Sequence, residues 1–257
     1  MKVGICGPVA KAAKIRAAGA DFFEENVQKF LVAEAPDSEF EEKLAAASGA
    51  SLPVIAANCF IPGALKCVGP ERDMPRLVRY AETALKRAGR AGIEAIVFGS
   101  GGSRRVPDGF SREEATQQMI EFAKQIAPAA QTAGVVLVIE PLNSGETNLV
   151  NSLAEGARIV EAVGHESVRL LADVFHMLRD GEDPGEIVKY GGLLRHAHIA
   201  EKEVRSAPGV KGDDFKPYFD AFKAAGYGGP ISIECRWGED FDAEAKRAVD
   251  VIRAGMA

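Results

Sequence analysis

Three carboxylates and a pair of histidines stand where apolar runs end in the second half of the chain. Val135-Val136-Leu137-Val138-Ile139 leads into Glu140, Val168-Arg169-Leu170-Leu171-Ala172 into Asp173, and Ile231-Ser232-Ile233 into Glu234. Between the last two, Leu194-Arg195-His196-Ala197-His198-Ile199 carries two imidazoles that point the same way if the run is a strand of period two. One histidine with three acids is a hard, oxygen-rich donor set, suited to Mn²⁺, Mg²⁺ or Co²⁺ and open to Zn²⁺. Alone, each acid reads equally well as a strand-end carboxylate capping the next turn, and His196 reads better than His198 as a satisfied core imidazole. Taken together, Glu140, Asp173, His198 and Glu234 lie 33, 25 and 36 residues apart in turn, so they converge only if the chain closes on itself.

Such convergence needs repeated βα units. Runs rich in Val, Ile and Leu at 2–6, 21–25, 53–57, 94–98, 135–140, 168–173, 194–199 and 230–234 alternate with stretches of helical period. Met74 through Arg90 spaces its apolar residues as a helix and stops before Gly92. Ser111-Arg112-Glu113-Glu114 is a capping box that opens a helix to about Ala133. The least strand-like run is Asp21-Phe22-Phe23-Glu24-Glu25. Eight units in 257 residues match the ~250 residues of an eight-unit βα barrel. The expectation is an α/β chain forming a single (β/α)8 TIM barrel over residues 1–257, with no linker or charge block dividing it. A doubly wound nucleotide fold loses its markers, since no GxGxxG follows the first run and no GxxxxGK motif occurs.

Composition narrows the function classes further. With 37 Asp and Glu against 31 Lys and Arg, the chain carries a formal charge of -6 and has no general attraction for phosphate backbones, so no nucleic-acid partner is expected. At 47% hydrophobic and 26% charged it can bury a full core, which excludes general disorder. No apolar run has membrane length and Met1 to Gly7 lacks a signal-peptide layout, which points to a cytoplasmic location with no membrane partner. Cys6, Cys59, Cys67 and Cys235 form no CxxC pair and read as reduced thiols rather than disulfides or a zinc site.

The residues flanking the four strand ends carry a resemblance. Glu140-Pro141-Leu142-Asn143 with Glu146-Thr147-Asn148, then Asp173-Val174-Phe175-His176-Met177, His196-Ala197-His198-Ile199, Arg205, Pro208-Gly209 and Ile233-Glu234 resemble the sugar phosphate isomerase/epimerase superfamily of xylose-isomerase-like barrels. Within it the chain looks most like ketose 3-epimerases and hydroxypyruvate-isomerase-like proteins. The match is close over the second half and covers the first half only in its βα rhythm. It implies one divalent ion, Mn²⁺ first among the candidates, held by Glu140, Asp173, His198 and Glu234. It also implies that Glu146, His176 and Arg205 grip substrate hydroxyls. Two departures concern the substrate: Ser144-Gly145 replaces bulkier residues, and the interval from His198 to Arg205 is longer by one residue than the family's.

An ion bound to neighbouring carbonyl and hydroxyl oxygens makes an adjacent carbon acidic by stabilising a cis-enediolate. Glu140 and Glu234, from different sides of a barrel mouth, are then expected to serve as acid and base. Returning the proton to the opposite face gives an epimer, and returning it to the neighbouring carbon gives an aldose-ketose isomer. The expected partner is a small polyhydroxy carbonyl compound, with self-association common among small metabolic barrels. A dehydratase of the inosose or dehydroshikimate type is the alternative on the same barrel. An endonuclease-IV-like repair enzyme needs histidines from early strands, and the first histidine here is His165. A non-catalytic barrel requires the ligand set to be idle. In the first half, Gly99-Ser100-Gly101-Gly102-Ser103-Arg104-Arg105 reads either as a cradle for phosphate or carboxylate or as a flexible loop. Asn58, Phe60 and Trp237 read as a sugar-facing wall or as a lid on the core.

Overall fold

The computed structural model describes residues 1–257. Eight strands, β1 (Val3–Cys6), β2 (Phe22–Asn26), β3 (Val54–Asn58), β4 (Ala95–Phe98), β5 (Val136–Ile139), β6 (Val168–Asp173), β7 (Leu194–Ile199) and β8 (Ile231–Ile233), form a closed barrel in chain order. Every neighbouring pair is parallel, including β8 with β1. The helices are α1 (Ala12–Ala17), α2 (Val27–Phe30), α3 (Asp37–Ser48), α4 (Met74–Ala91), α5 (Gly101–Arg104), α6 (Arg112–Ala133), α7 (Leu153–Val163), α8 (Val174–Asp180), α9 (Gly185–Tyr190), α10 (Lys216–Ala224) and α11 (Phe241–Met256). This is the (β/α)8 TIM barrel expected from the sequence. None of the helices is long and apolar enough to cross a membrane.

Local chemistry sets the helix limits. The Asp73 carboxylate accepts the Arg76 N–H at 3.0 Å, Pro75 sits in the first turn, and α4 closes on left-handed Gly92. Ser111 caps α6 by accepting the Glu114 N–H at 3.2 Å, and left-handed Gly134 ends that helix.

The apolar and polar parts of the core are segregated. One cluster of 66 buried side chains fills the layers around the strands, whereas Val97, Val138 and Leu171 form a separate cluster of three. Those three share strand parity with Gly99 and Glu140, which directly follow β4 and β5, and with Asp173, which ends β6, and this places them on the axial side below the mouth. Phe22 also enters the axis, where its ring packs 6.5 Å from that of His196. Gly4 makes room for it, since a Cβ there would lie 2.2 Å from the Phe22 ring. Polar side chains occupy other axial positions: Glu24, His196, His198 and Ser232 are all buried. The least strand-like run is therefore a true strand whose Glu24 faces inward.

Candidate active site

Glu140 follows β5 directly, Asp173 ends β6, His198 is the penultimate residue of β7, and Glu234 follows β8 directly. Each offers one ligand atom, and these four atoms all lie within 4.8 Å of one another. The set proposed from spacing is thus brought together by barrel closure. Glu140 can occupy its place because residue 99 has no side chain: a Cβ on Gly99 would lie 2.0 Å from Glu140 Oε2.

His198 is oriented from behind. Its Nε2 lies 2.9 Å from Glu24 Oε1, while Nδ1 lies 3.1 Å from Glu140 Oε1 and 3.3 Å from Glu234 Oε2. With Nε2–H donated to Glu24, Nδ1 is the nitrogen that faces the carboxylates; it donates to them while protonated and would offer its lone pair to an ion that displaces that proton. Glu24 Oε2 meets His196 Nε2 at 2.8 Å, and the Ser232 hydroxyl lies 3.2 Å from the same nitrogen. His196 is accordingly a core imidazole, held by Glu24 and Ser232.

The electrostatics reflect crowding of acids in a buried space. Burial raises Asp173 to about 6, against the opposing pull of Arg205 and His198. Burial likewise raises Glu140. For Glu234 burial is outweighed by Arg205 and His198, and its carboxyl falls to about 2. Burial disfavours the charged form of His198, but Glu24 and Glu234 outweigh it and hold the imidazole well above its usual range. So dense a carboxylate set calls for positive charge, and three carboxylates with an outward-aimed imidazole nitrogen fit a hard divalent cation.

The three expected substrate-binding residues border this cluster. Arg205 donates from Nη2 to Asp173 Oδ2 at 3.1 Å and to Glu234 Oε2, and from Nε to the Glu234 carbonyl at 3.0 Å. Its guanidinium stacks 4.5 Å from the Phe175 ring centre. Val204 and Arg205 both adopt left-handed backbone, at φ 50° and 54°. His176 Nδ1 accepts from the Asn143 backbone N–H at 3.1 Å and lies 2.8 Å from Asn143 Nδ2, so its proton belongs on Nε2. That Nε2 is buried 3.3 Å from Asp173 Oδ2 without an aligned hydrogen bond to it. Glu146 is half-exposed, accepts from Asn143 Nδ2 at 3.0 Å, and lies 3.9 Å from Arg205 Nη1. All three line a cavity of about 260 Å³ together with Glu140, Glu234 and Asn58.

The first-half expectations divide. Asn58 does reach the site, donating to Glu234 Oε1 at 2.8 Å. Phe60 does not: it is fully buried, with its ring 5.6 Å from Phe98 and 6.3 Å from Tyr80. Cys59 takes a left-handed φ of 56° between them, and Phe60 packs into the core. Trp237 packs edge-on against Phe241 with ring centres 4.8 Å apart and is absent from the cavity lining. The Gly99–Arg105 segment is no guanidinium cradle. Gly101–Arg104 coils into α5, and buried Arg104 donates to the carbonyls of Phe98, Glu140 and Val150 at 2.9, 2.7 and 3.4 Å. Arg105 donates to the Glu146 carbonyl at 2.9 Å. These arginines tie loops together, while Gly99, Gly101 and Gly102 form cavity wall. The residue that sequence reasoning missed is Glu24, whose signal was an acid at inward parity within an otherwise buried strand.

The profile of xylose isomerase-like TIM barrels matches residues 12–255. An L-ribulose 3-epimerase of Mesorhizobium japonicum is 31% identical over 144 residues, 56% of this chain and 48% of that protein, so the chain spans about half the length of this relative. A 3-dehydro-D-guloside 4-epimerase of Escherichia coli is 26% identical over 239 residues, 91% of this chain and 88% of that protein. Among solved structures, a D-psicose 3-epimerase of Clostridium cellulolyticum with D-tagatose superposes with a TM-score of 0.85 at 21% identity, covering 100% of this chain and 99% of that one.

Proposed function

The chain belongs to the xylose isomerase-like TIM barrel family, and we propose that it is a divalent-metal-dependent isomerase or epimerase of a small sugar, sugar phosphate or related keto compound. The observation that carries this reading is the meeting of Glu140, Asp173, His198 and Glu234 within 4.8 Å at the wall of a sugar-sized cavity. Sugar epimerases among the relatives support it.

Glu140, Asp173, His198 and Glu234 would hold the ion, Mn²⁺ first among the candidates and Mg²⁺, Co²⁺ or Zn²⁺ after it. When bound, the ion supplies Lewis-acid polarisation of adjacent carbonyl and hydroxyl oxygens, favouring an enediolate. Arg205 and the Nε2–H of His176 donate to substrate oxygens, and Glu146 accepts from a hydroxyl. Glu140 and Glu234 come from strands β5 and β8 and reach the cavity from different sides of the mouth. One carboxylate takes the proton from the carbon beside the carbonyl, and the other carboxyl group delivers a proton to the opposite face, inverting that centre. Delivery to the neighbouring carbon, with a hydroxyl proton passed across, exchanges aldose and ketose.

Proton NMR in D₂O tests this across ketoses, ketose phosphates and hydroxypyruvate, with Mn²⁺ and with EDTA. The expected result is ion-dependent loss of a carbon-bound proton beside the carbonyl, with an epimer or isomer accumulating. Water elimination without either product points instead to a dehydratase.

A further inference from the structure

A second cavity of about 460 Å³ adjoins the substrate pocket, and the two share Glu146 and Arg205 in their walls. Arg179, Lys202 and Arg236 line it with no ion-pair partner. Their neighbours differ: Lys211 on the same loop as Lys202 pairs with Glu203 at 3.5 Å, and Arg205 pairs through Nη2 with Asp173 and Glu234. Glu146 is the one carboxylate in the lining. In a chain of net charge -6, three unpaired cations around one hollow make a local field opposite in sign to the whole.

The three cations are placed by the loops that place the site. Arg179 lies one helical turn beyond His176, Lys202 four residues beyond His198, and Arg236 two residues beyond Glu234. The Arg236 N–H donates to the Arg205 carbonyl at 2.7 Å, and the Lys202 N–H to Asp213 Oδ2 at 2.5 Å. Next to Lys202, the buried Glu201 carboxylate accepts the N–H groups of Gly209 at 2.7 Å, Gly212 at 3.1 Å and Lys211, which fixes the loop. The backbones are anchored and the charged ends are left for a ligand.

We propose that this hollow is an anion subsite, and that the substrate carries a terminal phosphate or carboxylate held by Arg179, Lys202 and Arg236 while its carbonyl end lies at Glu140, Asp173, His198 and Glu234. The assignment of the carbonyl end rests on the isomerase or epimerase reading above. Guanidinium forks suit both anions, and their shared chemistry is a terminal oxyanion of a small ketose.

Two measurements test it. In the first, inorganic phosphate and acetate are titrated into the purified protein and followed by ³¹P and ¹³C NMR, using wild type and an Arg179→Ala/Lys202→Ala/Arg236→Ala variant whose folding is checked by thermal unfolding. Saturable binding of one anion by wild type, weakened at least about tenfold in the variant, supports the subsite and names the anion. Absence of saturable binding of both anions, or equal binding by the variant, overturns it. In the second, kcat/KM for solvent-proton exchange is compared for ketoses and their terminal phosphate and carboxylate counterparts. The charged compound should exceed its neutral parent by at least about tenfold, with the ratio collapsing in the variant and at high salt. Parity in wild type overturns the subsite. Exchange with no ketose of either kind, alongside saturable anion binding, overturns the sugar reading and leaves the subsite standing.

Discussion

The two halves of the barrel mouth do different work. The arc from β5 to β8 supplies Glu140, Asp173, His198 and Glu234, together with Glu146, His176 and Arg205. The arc from β1 to β4 contributes groups that act on those residues: Glu24 on His198, Asn58 on Glu234, and the bare backbone of Gly99 beside Glu140. In the function proposed above, one arc carries the groups for an ion and a substrate, and the other positions those groups and supplies cavity wall. A barrel permits this division because strands far apart in sequence face each other across its axis.

The largest effect should come from the presenting arc. Glu140→Gln and Glu234→Gln each preserve shape while removing a proton acceptor and an anionic ligand. Turnover in the D₂O exchange assay should fall by about 10³-fold or more. Near-normal exchange in either variant would break the division at its centre.

The supporting arc should show its contribution in affinity for the ion. Glu24→Gln keeps the packing but weakens the acceptor behind His198 Nε2. Calorimetric titration with Mn²⁺ should show affinity lower by roughly 10- to 100-fold, with turnover recovered at saturating ion. Unchanged Mn²⁺ affinity would reduce Glu24 to a core residue serving His196. A smaller effect belongs to Arg205→Ala, which should raise KM by about tenfold while altering kcat less. Retained KM would show that Arg205 serves the Asp173 and Glu234 carboxylates it already binds rather than the substrate.

The same division explains what the sequence revealed. Glu140, Asp173 and Glu234 were legible because each ends an apolar run, and parallel barrels gather strand ends at one mouth. His198 was legible from its parity with His196, although parity alone could not show which ring faced the acids. Glu24 carried only the signal of its parity, which did not show its role, since its partners lie on β7 across the axis and the β2–β3 register shifts between Phe23 and Glu24. A run with two adjacent acids reads as a poor strand until closure supplies two histidines to receive one of them. Arg104 was misread for a related reason. Its acceptors are carbonyls at residues 98, 140 and 150, which side-chain chemistry in a sequence cannot display.

The smallest predicted effect separates perturbed acids that serve the site from one that serves the frame. Glu182, just beyond α8, is raised by burial from 4.5 to about 7, and its Oε1 accepts the Leu153 N–H at 2.8 Å where α7 begins. Its folded-state pKa lies above its unfolded value, so the protonated acid contributes stability that is fully present below about pH 4.5. That contribution is lost as pH rises through about 7. Partial exposure of the group reduces the effect to about 1–2 kcal/mol. Urea unfolding from pH 5 to 8 should show this decline in wild type, and Glu182→Gln should flatten it, because the amide oxygen still accepts from Leu153 and no longer ionises. Exchange activity at fixed ion should be the same in both. A flattened stability profile with altered turnover would mean that α8, which carries His176, transmits the state of the frame to the mouth, and the two regions would then not be separable.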